Sequence, residues 1–175
     1  VASCLIFDMH NDYGYEVIDE HKRRFKGLRQ LFPDRVQCVT LDPDTSRHRD
    51  SKVDRVLKIG YNQIEPEDVE MLAGVLGLSD IQVGALFYIS RKLKQQGKNW
   101  IAELLNEESK IIDEIEESEK VQKGTLRAIQ RKFEMFHRFN FLVEQENNET
   151  IDYIFNALSR GTNIVLEFGT FGNTL

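Results

Sequence analysis

Three side chains capable of acid–base or metal chemistry, Asp8, His10 and Asp12, fall close together near the start of the sequence. They follow Cys4-Leu5-Ile6-Phe7, an uninterrupted apolar run of the kind that forms a strand buried on both faces of a parallel sheet. The run stops at Asp8, the polar stretch Met9-His10-Asn11-Asp12-Tyr13 follows, and Gly14 lets the chain turn. Ligand sites in open α/β sheets lie beyond the carboxyl ends of strands, which places these three residues where chemistry is usual. An Asp-x-His pair also opens metal-dependent hydrolase sites, but those need further ligands, and His21, His48 and His137 each stand alone. The third reading is structural: a turn after a strand whose polar residues cap a helix and face water.

The elements around this stretch alternate. Residues 16–32 place Ile18, His21, Phe25, Leu28 and Phe32 at helical spacing, with Lys22, Arg23, Arg24, Lys26 and Arg29 opposite. That basic side is either a nucleic-acid contact or a solvated face. Pro33 ends the helix, and residues 36–41 form a second strand, giving a right-handed β-α-β unit. Residues 42–52 read as a polar loop in which His48, flanked by Arg47 and Arg49, is either a phosphate contact or simply exposed. Residues 53–59 read as a third strand.

From residue 65 the texture turns helical, beginning at Glu65-Pro66-Glu67-Asp68, with Pro in the first turn and acids that complement the helix dipole. Gly77 stops this helix, and Ser79 or Asp80 caps the next, whose face is Ile81, Ala85, Ile89 and Leu93. Short helices follow at 99–105 and 107–120, with a break expected at Gly124-Thr125. A seam of Leu126, Ile129, Phe133 and Phe136 comes after it. Strand character returns at 139–143. Residues 150–160 form a helix with Ile151, Ile154, Phe155 and Leu158 inward, and 163–168 form the last strand before the glycine-rich tail 169–173.

The chain has 175 residues, 41% hydrophobic and 30% charged, with a net charge of −6. That is a single soluble domain long enough for a real core. Its overall charge repels nucleic acid, so any such contact is local or made elsewhere in a larger protein. No apolar run approaches the roughly 20 residues that cross a membrane, and no secretory signal is evident, so a cytoplasmic location is expected. Cys4 and Cys38 both lie in apolar runs and are expected to be buried and reduced.

The segment strand-Asp8-Met9-His10-Asn11-Asp12-Tyr13 resembles the strand-D-P-H-G-E-Y segment of HerA/FtsK-type hexameric ATPases, the motors that translocate DNA. It matches at Asp8, His10 and Tyr13, is conservative at Asp12, and departs at Met9 for Pro and Asn11 for Gly. The helix–Gly161–strand unit at 150–168 is similar to the one that precedes Walker B in that group. The resemblance implies that Asp8 holds a magnesium-bound water and so is the metal-linked residue. It further implies that Asp12 positions the attacking water, and that His10 orients its neighbours. It implies ATP and Mg2+ as cofactors of the intact protein, DNA as partner, and a homo-oligomer, a hexamer in the parent.

No G-x-x-x-x-G-K-[ST] occurs in the chain, so it is expected to be an internal piece lacking Walker A and Walker B. Such a piece would be inactive alone and would bind no nucleotide tightly. The expected fold class is α/β: a mainly parallel sheet flanked by helices, a partial P-loop NTPase core, from strands at 2–7, 36–41, 53–59 and 163–168. Residues 1–64 and 138–175 would form this core and residues 65–137 an inserted helical subdomain. Acidic Glu107, Glu108, Asp113, Glu114, Glu116, Glu117 and Glu119, followed by basic Lys120, Lys123, Arg127, Arg131 and Lys132, could complement a neighbouring copy head-to-tail. The competing reading is a non-catalytic α/β scaffold whose helical block docks a partner protein.

Overall fold

The computed structural model describes residues 2–48, 52–106, 108–118 and 120–170, and the side chain of every one of these within helices except Ile111. Arg49, Glu107, Glu119 and the tail 171–175 lie outside the described residues. In chain order the elements are β1 (Leu5–Asp8), β2 (Val17–Ile18), β3 (Arg24–Phe25), α1 (Leu28–Leu31), β4 (Val36–Thr40), α2 (Pro43–His48), β5 (Arg55–Val56) and β6 (Ile59–Gly60). There follow α3 (Pro66–Met71), α4 (Ala73–Leu76), α5 (Asp80–Gln95), α6 (Trp100–Leu105), α7 (Lys110–Glu117), α8 (Lys123–Phe133), β7 (Leu142–Val143), α9 (Glu149–Ser159) and β8 (Asn163–Glu167). They group into two compact units, Val1–Lys58 with Asn148–Leu175, and Ile59–Asn147.

The first unit is an α/β layer. Among the described residues, four strands run in the order β1-β8-β4-β5 with every pairing parallel. The last strand therefore sits between the first and the second of the long ones, which only crossover connections allow. One sheet face presents Leu5, Val39, Ile164 and Leu166 to Ile154, Ala157 and Leu158 of α9. The other presents Ile6, Val36, Cys38 and Val165 to Tyr15 and Leu28. Ile151 and Phe155, expected inward on α9, are exposed, because the helix turns its Ile154–Ala157 side to the sheet. Cys38 is buried as expected, but Cys4 precedes the strand and is exposed.

Residues 16–32 do not form one helix. Val17–Ile18 and Arg24–Phe25 pair antiparallel, and α1 is the only helical remnant of the stretch. The β-branched pair disfavours helix, and the Asp19 carboxylate offers the backbone a better local arrangement. It accepts from the N–H groups of His21 (2.9 Å) and Arg23 (2.8 Å) and from Arg23 Nε (2.7 Å). The basic face dissolves accordingly: Arg23 pairs with Asp19, Arg24 with Glu16 and Arg29 with Asp54. The expected third strand is also shorter, since Arg55–Val56 pairs with β4 whereas Ile59–Gly60 pairs with β7 inside the second unit.

The second unit is helical around Trp100, Leu86, Ile89, Leu93, Leu104, Ile115, Leu126, Ile129 and Phe133, all essentially inaccessible. Ser79 caps α5 through Gln82 N–H, and Asn99 caps α6. The core face of α5 is Val83, Leu86, Ile89 and Leu93, and Ile81 stands 75% exposed in the first turn. Gly124 does not break α8: it lies in the first turn, where N–H groups have no intrahelical partner to lose. Glu116 on α7 pairs with Lys123 and Arg127, so at this point the acidic and basic runs neutralise each other within the chain.

A poorly solvated ion pair of the first unit is the fork from Arg29 to Asp54, with both nitrogen–oxygen distances 3.0 Å and side chains 16% and 15% exposed. Asp54 also accepts the Cys38 N–H at 2.9 Å. Replacing Asp54 by Ala strands a guanidinium and a strand N–H, and should cost about 2–4 kcal/mol. Urea unfolding of the two proteins measures this, and a difference below about 0.5 kcal/mol, the scale of an ordinary surface substitution, would contradict it.

Candidate active site

Asp8 ends β1 and is fully buried. Its two carboxylate oxygens accept the backbone N–H groups of the turn that follows, Oδ1 from Asp12 at 3.0 Å and Oδ2 from Tyr13 at 2.8 Å. A strand-end acid thus folds the loop back over its own side chain, an Asx-type turn. Asn11 sits within that loop at φ 59°, a left-handed conformation that Asn and Gly accept more readily than other residues. His10 and Asp12 project into solvent on either side of buried Asn11.

The turns after β1, β8 and β4 are tied together. The Asn11 side-chain amide donates to Gly169 O (3.0 Å) and accepts from Gly169 N–H (2.8 Å). On the next residue, Thr170 donates both its N–H (3.1 Å) and its hydroxyl (2.8 Å) to Asp42 Oδ2. Gly169 has φ 61°, and a Cβ there would lie 2.2 Å from the Asp42 Cβ, so only glycine fits between the two clasps. Asp42 in turn caps α2, accepting Thr45 N–H at 3.2 Å and the Thr45 hydroxyl at 2.7 Å.

Burial alone would raise the Asp42 pKa, but the hydrogen bonds from Thr45 and Thr170 outweigh it and hold the group at about 2. Asp42-Pro43, an N-cap followed by proline at the first helical position, is the signature that residues 42–52 begin with a helix and not a plain loop.

Across the sheet, Asp8, Glu167 and Thr40 stand in one register row on the same face. Glu167 is 1% exposed on the central strand, with the Ser46 hydroxyl 3.3 Å from its Oε2. A Cβ on Gly14 would lie 2.2 Å from Glu167 Oε1, so the glycine that ends the β1 turn also lets this carboxylate fit. Beneath the row, burial together with the charges of Glu167, Asp54 and Asp8 pushes the Cys38 thiol up to about 12, against a smaller opposing effect from Arg29. Burial, followed by Cys38 and Asp54, does the same to the Tyr15 phenol, also to about 12. This end of the sheet is electronegative, and its thiol is inert at neutral pH.

The family model described as "Helicase HerA, central domain" matches residues 1–174. The chain belongs to this HerA family. No curated protein and no solved structure matches it. The row and the exposed Asp12 and His10 lie at the carboxyl end of a parallel sheet, where ligands of open α/β sheets bind. Among the described residues, no group of three or more His, Cys, Asp or Glu side chains is placed to hold a metal ion, and no helix is long and apolar enough to cross a membrane.

Asp8, His10 and Asp12, singled out from sequence, lie together on one turn, with Asp8 inside and the other two outside. Glu167 and Asp42 were not singled out. Glu167 ends the apolar run Ile164-Val165-Leu166 just as Asp8 ends its own, and that parallel was the available signal.

Asp42 titrates lower folded than unfolded, where an aspartate has a pKa near 3.9, so its stabilisation is full above about pH 4 and disappears as pH falls through about 2. Discounted for solvent screening, Asp42→Asn should therefore lower stability at pH 7 by about 1 kcal/mol, with the gap to wild type closing between pH 4 and pH 2. Chemical unfolding across that range reads the effect, and a gap independent of pH would contradict it.

Proposed function

We propose that this chain is the nucleotide-facing part of a HerA-like ATPase that couples ATP hydrolysis to DNA translocation as a hexamer in the cytoplasm. The observation that carries the reading is the β1 turn of a HerA-family chain, where a buried acid presents an exposed Asp12 and an exposed His10 at the carboxyl edge of a parallel sheet. Asp12 positions the attacking water, and His10 orients it or the phosphate oxygens.

Asp8 acts mainly through the turn, since each of its oxygens already holds an N–H. Magnesium needs only one or two carboxylates alongside water and phosphate oxygens, so the open arrangement fits it, with Asp12 the accessible carboxylate and Asp8 behind it. The ion would neutralise phosphate charge when bound. The phosphate cradle comes from a Walker A loop elsewhere in the intact protein, and residues 65–137 form a subdomain inserted between the core strands.

One observation favours a second reading, in which the helical unit is an interaction module: Met71 (85% exposed), Val75 (66%) and Ile81 (75%) present apolar surface to solvent. The two readings separate on turnover. In the intact protein, Asp12→Asn should reduce ATP hydrolysis by about 100-fold or more, the scale of a lost acid–base or water-positioning group. Its melting temperature should stay near wild type, because the side chain is exposed. Undiminished turnover would remove Asp12 from the chemistry.

A further inference from the structure

The Asn11–Gly169 pair joins two turns that are 158 residues apart in sequence, by two hydrogen bonds arranged like those of a base pair. Asn11 is 8% exposed and does not face the open side of the turn. Its immediate neighbours, His10 and Asp12, do. The other end of the clasp is not loose either. Gly169 is packed on Asp42, and Thr170 is held by Asp42, itself fixed as the cap of α2. The rigid reference for the β1 turn is therefore the β8 turn and, through it, the start of α2. Asp8 fixes the turn from the strand side through the N–H groups of Asp12 and Tyr13, and Asn11 fixes it from the sheet-edge side. Without the second hold, the loop could pivot about the Asp8 carboxylate, carrying His10 and Asp12 with it.

We propose that Asn11 is a positioning residue for the reaction: its reciprocal pair with Gly169 sets the placement of His10 and Asp12 without itself touching the nucleotide. This rests on the ATPase reading above. Small displacements of a group that must meet a reacting atom cost rate steeply, up to about 100-fold for 1 Å. The cost falls on turnover and not on nucleotide affinity, since Asn11 is buried and its amide is turned to Gly169.

The test is steady-state ATP hydrolysis by the intact protein with Asn11→Gly. Glycine keeps the φ 59° backbone and removes both hydrogen bonds to Gly169. The expected result is kcat lowered about 10-fold or more with KM for ATP within about two-fold of wild type, and a merely structural role would not produce this split. Asn11→Asp is the second variant. It keeps the acceptor for Gly169 N–H but sets a carboxylate against Gly169 O, so its deficit relative to wild type should shrink as pH falls toward the carboxylic-acid range and the group regains a donor.

If wild type hydrolyses ATP and folded Asn11→Gly does so with unchanged kcat, the positioning role is overturned while the ATPase reading stands. If Asn11→Gly does not fold, a pH-independent deficit in Asn11→Asp overturns it. Wild type without any ATP turnover overturns the ATPase reading, and this role with it.

Discussion

A buried carboxylate must be compensated by hydrogen bonds or it destabilises the fold by several kcal/mol, and at Asp8 the compensating donors are the N–H groups of the loop that follows. That requirement shapes the whole edge of the sheet. To bring the Asp12 and Tyr13 amides to one side chain, the loop must reverse tightly, which places Asn11 in the left-handed region and turns its amide toward Gly169. Once Gly169 is held there, Thr170 meets Asp42, and the β4 turn joins the same network. Three chain reversals remote in sequence are thus joined into one hydrogen-bonded rim, with His10 and Asp12 on its solvent side. The physical division of labour is between acids that build, Asp8 and Asp42, and an acid left accessible, Asp12.

The parallel arrangement explains why those turns meet. β8 lies between β1 and β4, so its end is the only place from which one segment reaches both neighbouring turns. The row Asp8–Glu167–Thr40 is the register consequence of the same insertion.

Legibility from sequence followed the strength of the local signal. The strands β1 and β8 were readable because each holds an apolar run closed by an acid, and β4 because it is rich in β-branched and apolar residues. The helix cap at Ser79 and the α8 seam were readable for similar reasons. The hairpin of β2 and β3 was not. Its apolar residues happen to fall at helical spacing, and the deciding interaction, Asp19 with the N–H groups of His21 and Arg23, outweighs periodicity without leaving a periodic trace. The exposure of Ile81, Ile151 and Phe155 shows the related limit: a stripe predicts a helix, but its rotation is set by what it packs against. That Asp8, His10 and Asp12 share one turn at the end of a strand was legible in advance. That Asp8 would face inward, and that Asn11 would be the link to a turn 158 residues away, depended on pairings between strands that no local pattern encodes.

Native-state hydrogen exchange at the N–H groups of Asp12, Tyr13, Gly169 and Thr170 tests the central claim, that this rim is one hydrogen-bonded unit anchored on Asp8, most directly. All four should be protected to a similar degree, well above an open surface loop, and all four should lose protection together in Asp8→Ala. Rapid exchange at Gly169 and Thr170 in wild type, or loss confined to Asp12 and Tyr13 in the variant, would contradict it.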